Sequence, residues 1–299
     1  MSTSAGRAVG GADSAQPFVE GAEIPAGEWV FNARVAGPSG GRPVLFLHGF
    51  PQTSASWTAQ LLGLARAGYR AIAFDQRGYS PGARPPQESA YGRDELVGDV
   101  IAVLDALGIE RVDLVGHDWG GALAWQVAGL HGERLRTLTV VSTPHPVALT
   151  SAVRDAASGQ REQSSYIHLF RTRGAAEEKI MANDAAYLRA AFASLPADVT
   201  ERYIAALREP GALTGALNWY RAVDPKALRD IGEITTPTLY VWSDRDTAFG
   251  RPAAEATGAQ LSGPYHFEIL PNTDHWIPET AAEPLTKALL THLAAFPNN

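Results

Sequence analysis

The 299-residue chain is 45% hydrophobic and can bury a large core, as one big α/β domain or one domain with an insertion. A formal charge of −7 without any run of basic residues argues against a nucleic-acid footprint, and the absence of cysteine excludes disulfides, thiolate chemistry and cysteine-based metal sites. No stretch is long and apolar enough for a transmembrane helix, so a cytoplasmic protein acting on small neutral molecules is expected.

The first sixteen residues, Met1 to Gln16, are rich in Ser, Ala and Gly and lack an apolar segment, which reads as a flexible tail rather than a secretory signal. Phe18 to Ile24 and Glu28 to Val35 predict an opening hairpin-like pair at a sheet edge, with Pro25 and Gly27 supplying the turn. Short apolar runs follow at Val44 to Leu47, Ala71 to Phe74, Val112 to Val115 and Leu138 to Val141, as expected of buried parallel strands. Between them, Leu96, Val100, Val103, Leu104 and Leu107, and then Leu123, Val127 and Leu130, recur at helical spacing. Strand alternating with helix implies an α/β fold with a mostly parallel, doubly wound sheet. The alternation breaks after Thr143-Pro144-His145-Pro146, and the chain stays helical in pattern to about Val223. Strands return at Thr238 to Trp242 and Tyr265 to Leu270, before a final amphipathic helix from about Glu279 to Ala295. These shifts divide the chain into a tail (1–16), a core domain (17–144 and 224–299) and an inserted helical lid (145–223).

The chemistry concentrates where the strand at Val112 meets the next helix, in Gly116-His117-Asp118-Trp119-Gly120-Gly121. Glycines flank a residue at a strand-to-helix turn, which resembles the nucleophile elbow of the α/β-hydrolase fold, with Asp118 where serine is usual. A carboxylate there is suited to attack a saturated carbon and become the acyl half of an ester. In that fold the acid and then the histidine follow the nucleophile, each on a loop after a late strand. His275, in Pro271-Asn272-Thr273-Asp274-His275-Trp276, is the loop histidine so placed, whereas His131, His168, His266 and His292 fall in helices, a strand or their ends and read as surface or core residues. Asp244 and Asp246 both stand past the strand ending at Trp242; Asp246 is favoured as the acid and Asp244 reads as a turn aspartate. The alternative position after the preceding strand, Val141 to Pro144, has no carboxylate. Two main-chain N–H groups should form an oxyanion hole, one from Trp119 and one from Phe50 in His48-Gly49-Phe50-Pro51, since Pro51 has no N–H to give.

Together with Asp75-Gln76-Arg77-Gly78-Tyr79-Ser80 and Asn218-Trp219-Tyr220-Arg221, these stretches make the chain resemble an epoxide hydrolase of the α/β-hydrolase superfamily from about Phe18 onward. The resemblance implies two lid tyrosines that hydrogen-bond the epoxide oxygen. Tyr220 matches the second and Tyr166 the first, although Arg173 stands where a proline often precedes Gly174. Paired phenols suit that task because they stabilise developing negative charge while staying neutral. The implied reaction needs an epoxide and water, no metal or organic cofactor, no nucleic acid and no membrane, and a monomer or homodimer is expected. Haloalkane dehalogenases are similar in having Trp after the nucleophile, but usually carry Asn or Glu where this chain has Phe50. Fluoroacetate dehalogenases have arginines beside the nucleophile, where this chain has Trp119 and Ala122. A non-catalytic binding protein of the same fold is the remaining alternative.

Overall fold

The computed structural model describes residues 17–297, so the tail expected at 1–16 lies outside the described residues. Eight strands form one sheet: β1 (Glu20–Ala26), β2 (Trp29–Ala36), β3 (Pro43–Leu47), β4 (Arg70–Phe74), β5 (Val112–His117), β6 (Leu135–Val141), β7 (Thr238–Ser243) and β8 (Tyr265–Leu270). Their order is β1-β2-β4-β3-β5-β6-β7-β8. β2 runs antiparallel to both β1 and β4, and all pairs from β4 to β8 are parallel. The expected opening pair is therefore the sheet's antiparallel edge. Its turn, however, is Gly27-Glu28 alone, with Gly27 at φ +59°, because Ala26 already pairs with Trp29. Pro25 lies within β1, which tolerates a residue without an N–H because it is an edge strand.

The central strands are buried on both faces, which is why they read as unbroken apolar runs. Alternation within β3 separates two cores. Leu45 and Leu47 pack on one side with α2 (Arg93–Ala106) and α3 (Trp119–Leu130). Val44 and Phe46 face the other side with α1 (Thr58–Arg66) and a C-terminal helix. Leu130, at the last helical position of its series, ends α3 and is exposed.

Between β6 and β7 the chain is helical: α4 (Pro146–Arg154), α5 (Gln160–Gln163), α6 (Tyr166–Phe170), α7 (Ala175–Ala191), α8 (Ala197–Arg208), α9 (Ala212–Arg221) and α10 (Pro225–Arg229). α7 is broken inside, where Ala182 to Ala185 leave helical dihedrals. Its apolar residues Ile180 and Leu188 join Phe170, Ile204 and Leu217 in the core that also holds α2 and α3, and Tyr166, Phe170 and Tyr220 of these helices face Phe50 and Asp118, which follow the carboxyl ends of β3 and β5. After β7 come α11 (Arg251–Ala256), α12 (Ile277–Thr280) and α13 (Ala282–Ala295). The single final helix expected from Glu279 is thus two. The chain restarts at Ala282 so that Pro284 occupies a first turn, where no N–H is required of it.

Candidate active site

Asp118 stands between β5 and α3 at φ 51°, ψ −118°, a backbone conformation costly for a residue with a Cβ. The glycines around it are fixed by closeness rather than by turn geometry. A Cβ on Gly116 would lie 2.2 Å from the Gly120 carbonyl oxygen, and one on Gly120 2.2 Å from that of Leu47. Gly49 is equally constrained, since its Cβ would lie 2.3 Å from the Asp118 Cβ. The elbow is held at its Asp118 carbonyl oxygen: Thr143 Oγ1, from the loop after β6, donates to it at 2.7 Å, and the Ala122 N–H reaches it at 2.9 Å.

Asp118 is 6% exposed, and its side chain meets two groups expected beside it. The Phe50 N–H donates to Oδ1 at 2.8 Å, and His275 Nε2 stands 3.6 Å from Oδ2. His275 Nδ1 in turn lies 2.9 Å from Asp246 Oδ2. The other Asp246 oxygen accepts the Ala248 and Phe249 N–H groups, at 2.7 and 2.9 Å, so this carboxylate is buried but fully partnered. Asp244 is exposed, as a turn aspartate should be. Burial alone would depress the His275 pKa, yet the charges and hydrogen bonds of Asp246 and Asp118 lift it to about 10. For Asp118 burial acts upward, and the hydrogen bond and charge of His275, the His117 ring and the Phe50 N–H outweigh it, leaving a lowered pKa.

Trp119 opens α3, and its indole sits edge-on to the Tyr220 ring, with centroids 4.9 Å apart. Tyr220 comes from α9 and Tyr166 from the start of α6; their rings lie 6.3 Å apart, and Phe170 packs against both. The two tyrosines and Asp118 together line two adjoining cavities of about 160 and 170 Å³. The first is apolar, walled by Pro146, Leu149, Ile167, Val223 and Phe249; the second reaches His275, Trp276 and Tyr187. Burial pushes both phenols' pKa values upward, the nearby Asp118 charge adds to it, and each therefore keeps its proton at any ordinary pH.

Six of the seven residues singled out in the sequence thus line one or both of these cavities, and the seventh, Asp246, stands behind His275. What the sequence reading missed is the polar layer behind them. His117 points Nε2 at the His275 carbonyl oxygen, and Gln52 and Glu279 follow in contact. His117 adjoins the nucleophile, but nothing in their spacing links Gln52 to Glu279, which are 227 positions apart. Among the described residues no three His, Asp or Glu side chains are grouped to hold a metal ion, and no helix is long and apolar enough to cross a membrane.

The family model described as the alpha/beta hydrolase fold matches residues 42–282. Human "Epoxide hydrolase 4" is 32% identical over 274 residues, covering 88% of this chain and 75% of its own. "Epoxide hydrolase A" of Mycobacterium tuberculosis is 30% identical, over 86% of this chain and 92% of its own. Among solved structures, epoxide hydrolase A from Mycobacterium thermoresistibile superposes with a TM-score of 0.81 at 26% identity, covering 93% of this chain and 98% of that one.

Proposed function

The chain belongs to the epoxide hydrolases of the α/β-hydrolase superfamily, and we propose that it converts an epoxide to a vicinal diol in two steps through an ester on Asp118. Residues 145–223 act as the lid over a core formed by 17–144 and 224–299. In the first step Asp118 Oδ2, the oxygen not engaged by Phe50, attacks an epoxide carbon. The carbon–oxygen bond of the ring breaks, and the oxygen takes a proton from the Tyr166–Tyr220 pair. Oδ1 then becomes the ester carbonyl oxygen and already sits on the Phe50 N–H, with the Trp119 N–H as the second donor.

In the second step water attacks that carbonyl carbon. His275, oriented by Asp246, takes the proton, the tetrahedral oxyanion collapses, and the diol leaves with Asp118 restored. Ester formation itself prepares the base: it removes the Asp118 charge that helps to lift the His275 pKa to about 10, so the histidine can pass its proton to the phenolate left by ring opening. The proton it then takes from water restores the imidazolium, and every group ends as it began.

The observation that carries this reading is the Asp118 carboxylate held between a main-chain N–H and a carboxylate-paired histidine, with two protonated phenols facing the same space. A single turnover in heavy-oxygen water tests it, with the expected label in the Asp118 carboxylate and an unlabelled diol. Label found only in the diol means direct hydration and ends the proposal. The dehalogenase alternative is supported by Trp119 beside the nucleophile, and halide release from a chloroalkane would reveal it. Against it, the Phe50 ring packs on Tyr220 at 5.4 Å and offers no polar group to a halide.

A further inference from the structure

A string of polar side chains runs from the back of His275 to the lid, and the two reaction steps above do not use it. His117, the last residue of β5, directs Nε2 at the His275 carbonyl oxygen at 2.9 Å and Nδ1 at Gln52 Oε1 at 3.0 Å. Gln52 Nε2 donates to both Glu279 oxygens, at 2.7 and 2.9 Å, and the Tyr203 hydroxyl of α8 donates to one of them at 2.8 Å. His117 and Gln52 are completely buried.

Proton counting constrains this string. Carbonyl oxygens only accept, so hydrogen bonds at both ring nitrogens make His117 an imidazolium, and Glu279, approached only by donors, is then a carboxylate. Turning the Gln52 amide over satisfies the same contacts with Glu279 protonated and His117 neutral. Both arrangements hold one proton beyond a neutral imidazole and a carboxylate. Without it, acceptor faces acceptor in a buried place.

The neighbouring charges decide between the two. His117 faces His275, whose ring centroid is 4.8 Å away, with Asp118 and Asp246 beyond it. Glu279 faces Tyr203 and His275, and Arg202 and Arg34 stand near Tyr203. Burial and the His275 charge pull the His117 pKa down to about 4, while burial lifts that of Glu279 to about 7. A charged His275 lowers both pKa values, but it stands 4.8 Å from the His117 ring and opposes the proton there more strongly, so the proton rests on Glu279. Once His275 is neutral the repulsion disappears, and a cation at His117 stabilises that neutral form.

We propose that Glu279 is a positioning residue for ester hydrolysis: through Gln52 and His117 it holds the main chain of His275 and keeps one proton that settles on His117 when His275 is in its basic form. The proposal rests on His275 being the base of the second step.

The test is the pH profile of ester hydrolysis in single turnover, comparing the full-length protein with Glu279→Gln. The glutamine keeps the contacts but has no proton to lend, so the acid-side midpoint should move up by about one pH unit, a roughly tenfold slower step below it, with the alkaline plateau retained. Tyr203→Phe, which removes one donor to the carboxylate, should shift the midpoint the same way by less, and carries the test if Glu279→Gln does not fold. A lowered plateau with an unmoved midpoint makes Glu279 merely structural and overturns the proposal, as do wild-type profiles in both variants. Histidine nitrogen NMR needs no turnover. In Asp118→Asn, which carries the neutral charge of the ester, the His117 ring should gain a second proton as His275 loses one, and should not do so with Glu279→Gln added. Failure of that coupling refutes the shared proton, whereas absence of label at Asp118 refutes the reaction itself.

Discussion

Gly49→Ala is the sharpest perturbation of the proposed reaction, because it alters no group that takes part in it. The added Cβ would stand 2.3 Å from the Asp118 Cβ, 2.7 Å from Oδ1 and 2.9 Å from the carboxyl carbon. Ordinary carbon contacts begin near about 3.5 Å, so the loop and the nucleophile must separate by roughly 1 Å or more. The elbow main chain resists, tied through Thr143 and the first turn of α3, and the flexible part is the carboxylate itself. Swinging it away lengthens the 2.8 Å contact to the Phe50 N–H and misaligns Oδ2. A displacement of this size costs about a hundredfold through orientation alone, and loss of the oxyanion donor roughly another hundredfold. Overpacking of this kind costs about 1–3 kcal/mol of stability, which a domain of this size survives. Diol formation should therefore fall by about 10² to 10⁴ in kcat/KM while urea denaturation remains cooperative. An alanine variant turning over at the wild-type rate would refute the argument that Gly49 sets the place of the nucleophile.

Tyr166→Phe and Tyr220→Phe should each slow ring opening by roughly a hundredfold while leaving hydrolysis of preformed ester unchanged; stopped-flow single turnovers separate the steps, and an unaltered opening rate in Tyr220→Phe removes the phenols from the mechanism. The His275 pKa is raised from 6.5 to about 10, so the unfolded chain sheds this proton first. The resulting stability is complete below pH about 6.5 and is lost as the pH rises through about 10. Urea midpoints measured across that window should fall more steeply for the wild type than for His275→Gln, and parallel profiles would contradict the pairing.

The sheet was legible because strands buried on both faces leave continuous apolar runs, and the elbow because its glycines must be local to it. Position past the strand left both Asp244 and Asp246 open as the acid, and burial separates them: only Asp246 is turned inward, where it meets His275. Tyr166 and Tyr220 carry no signal of their own among nine tyrosines and came from motif resemblance. The Glu279, Gln52 and His117 string was not legible, because its members come from α12, the loop after β3 and the end of β5 and meet only after folding. The split before α13 was readable from Pro284 but was hidden by apolar spacing that continues across it. The break at Ala182 to Ala185 in α7 has no such marker, for no proline or glycine stands there.

At position 118 comfort and reactivity pull in opposite directions. The bend that thrusts the side chain forward, φ 51° and ψ −118°, suits glycine, and any residue with a side chain bears a standing handicap there of about 1–3 kcal/mol. Only glycine would escape that handicap, and glycine brings no carboxylate. An aspartate in so awkward a posture sets a carboxylate where endurance by itself would favour glycine.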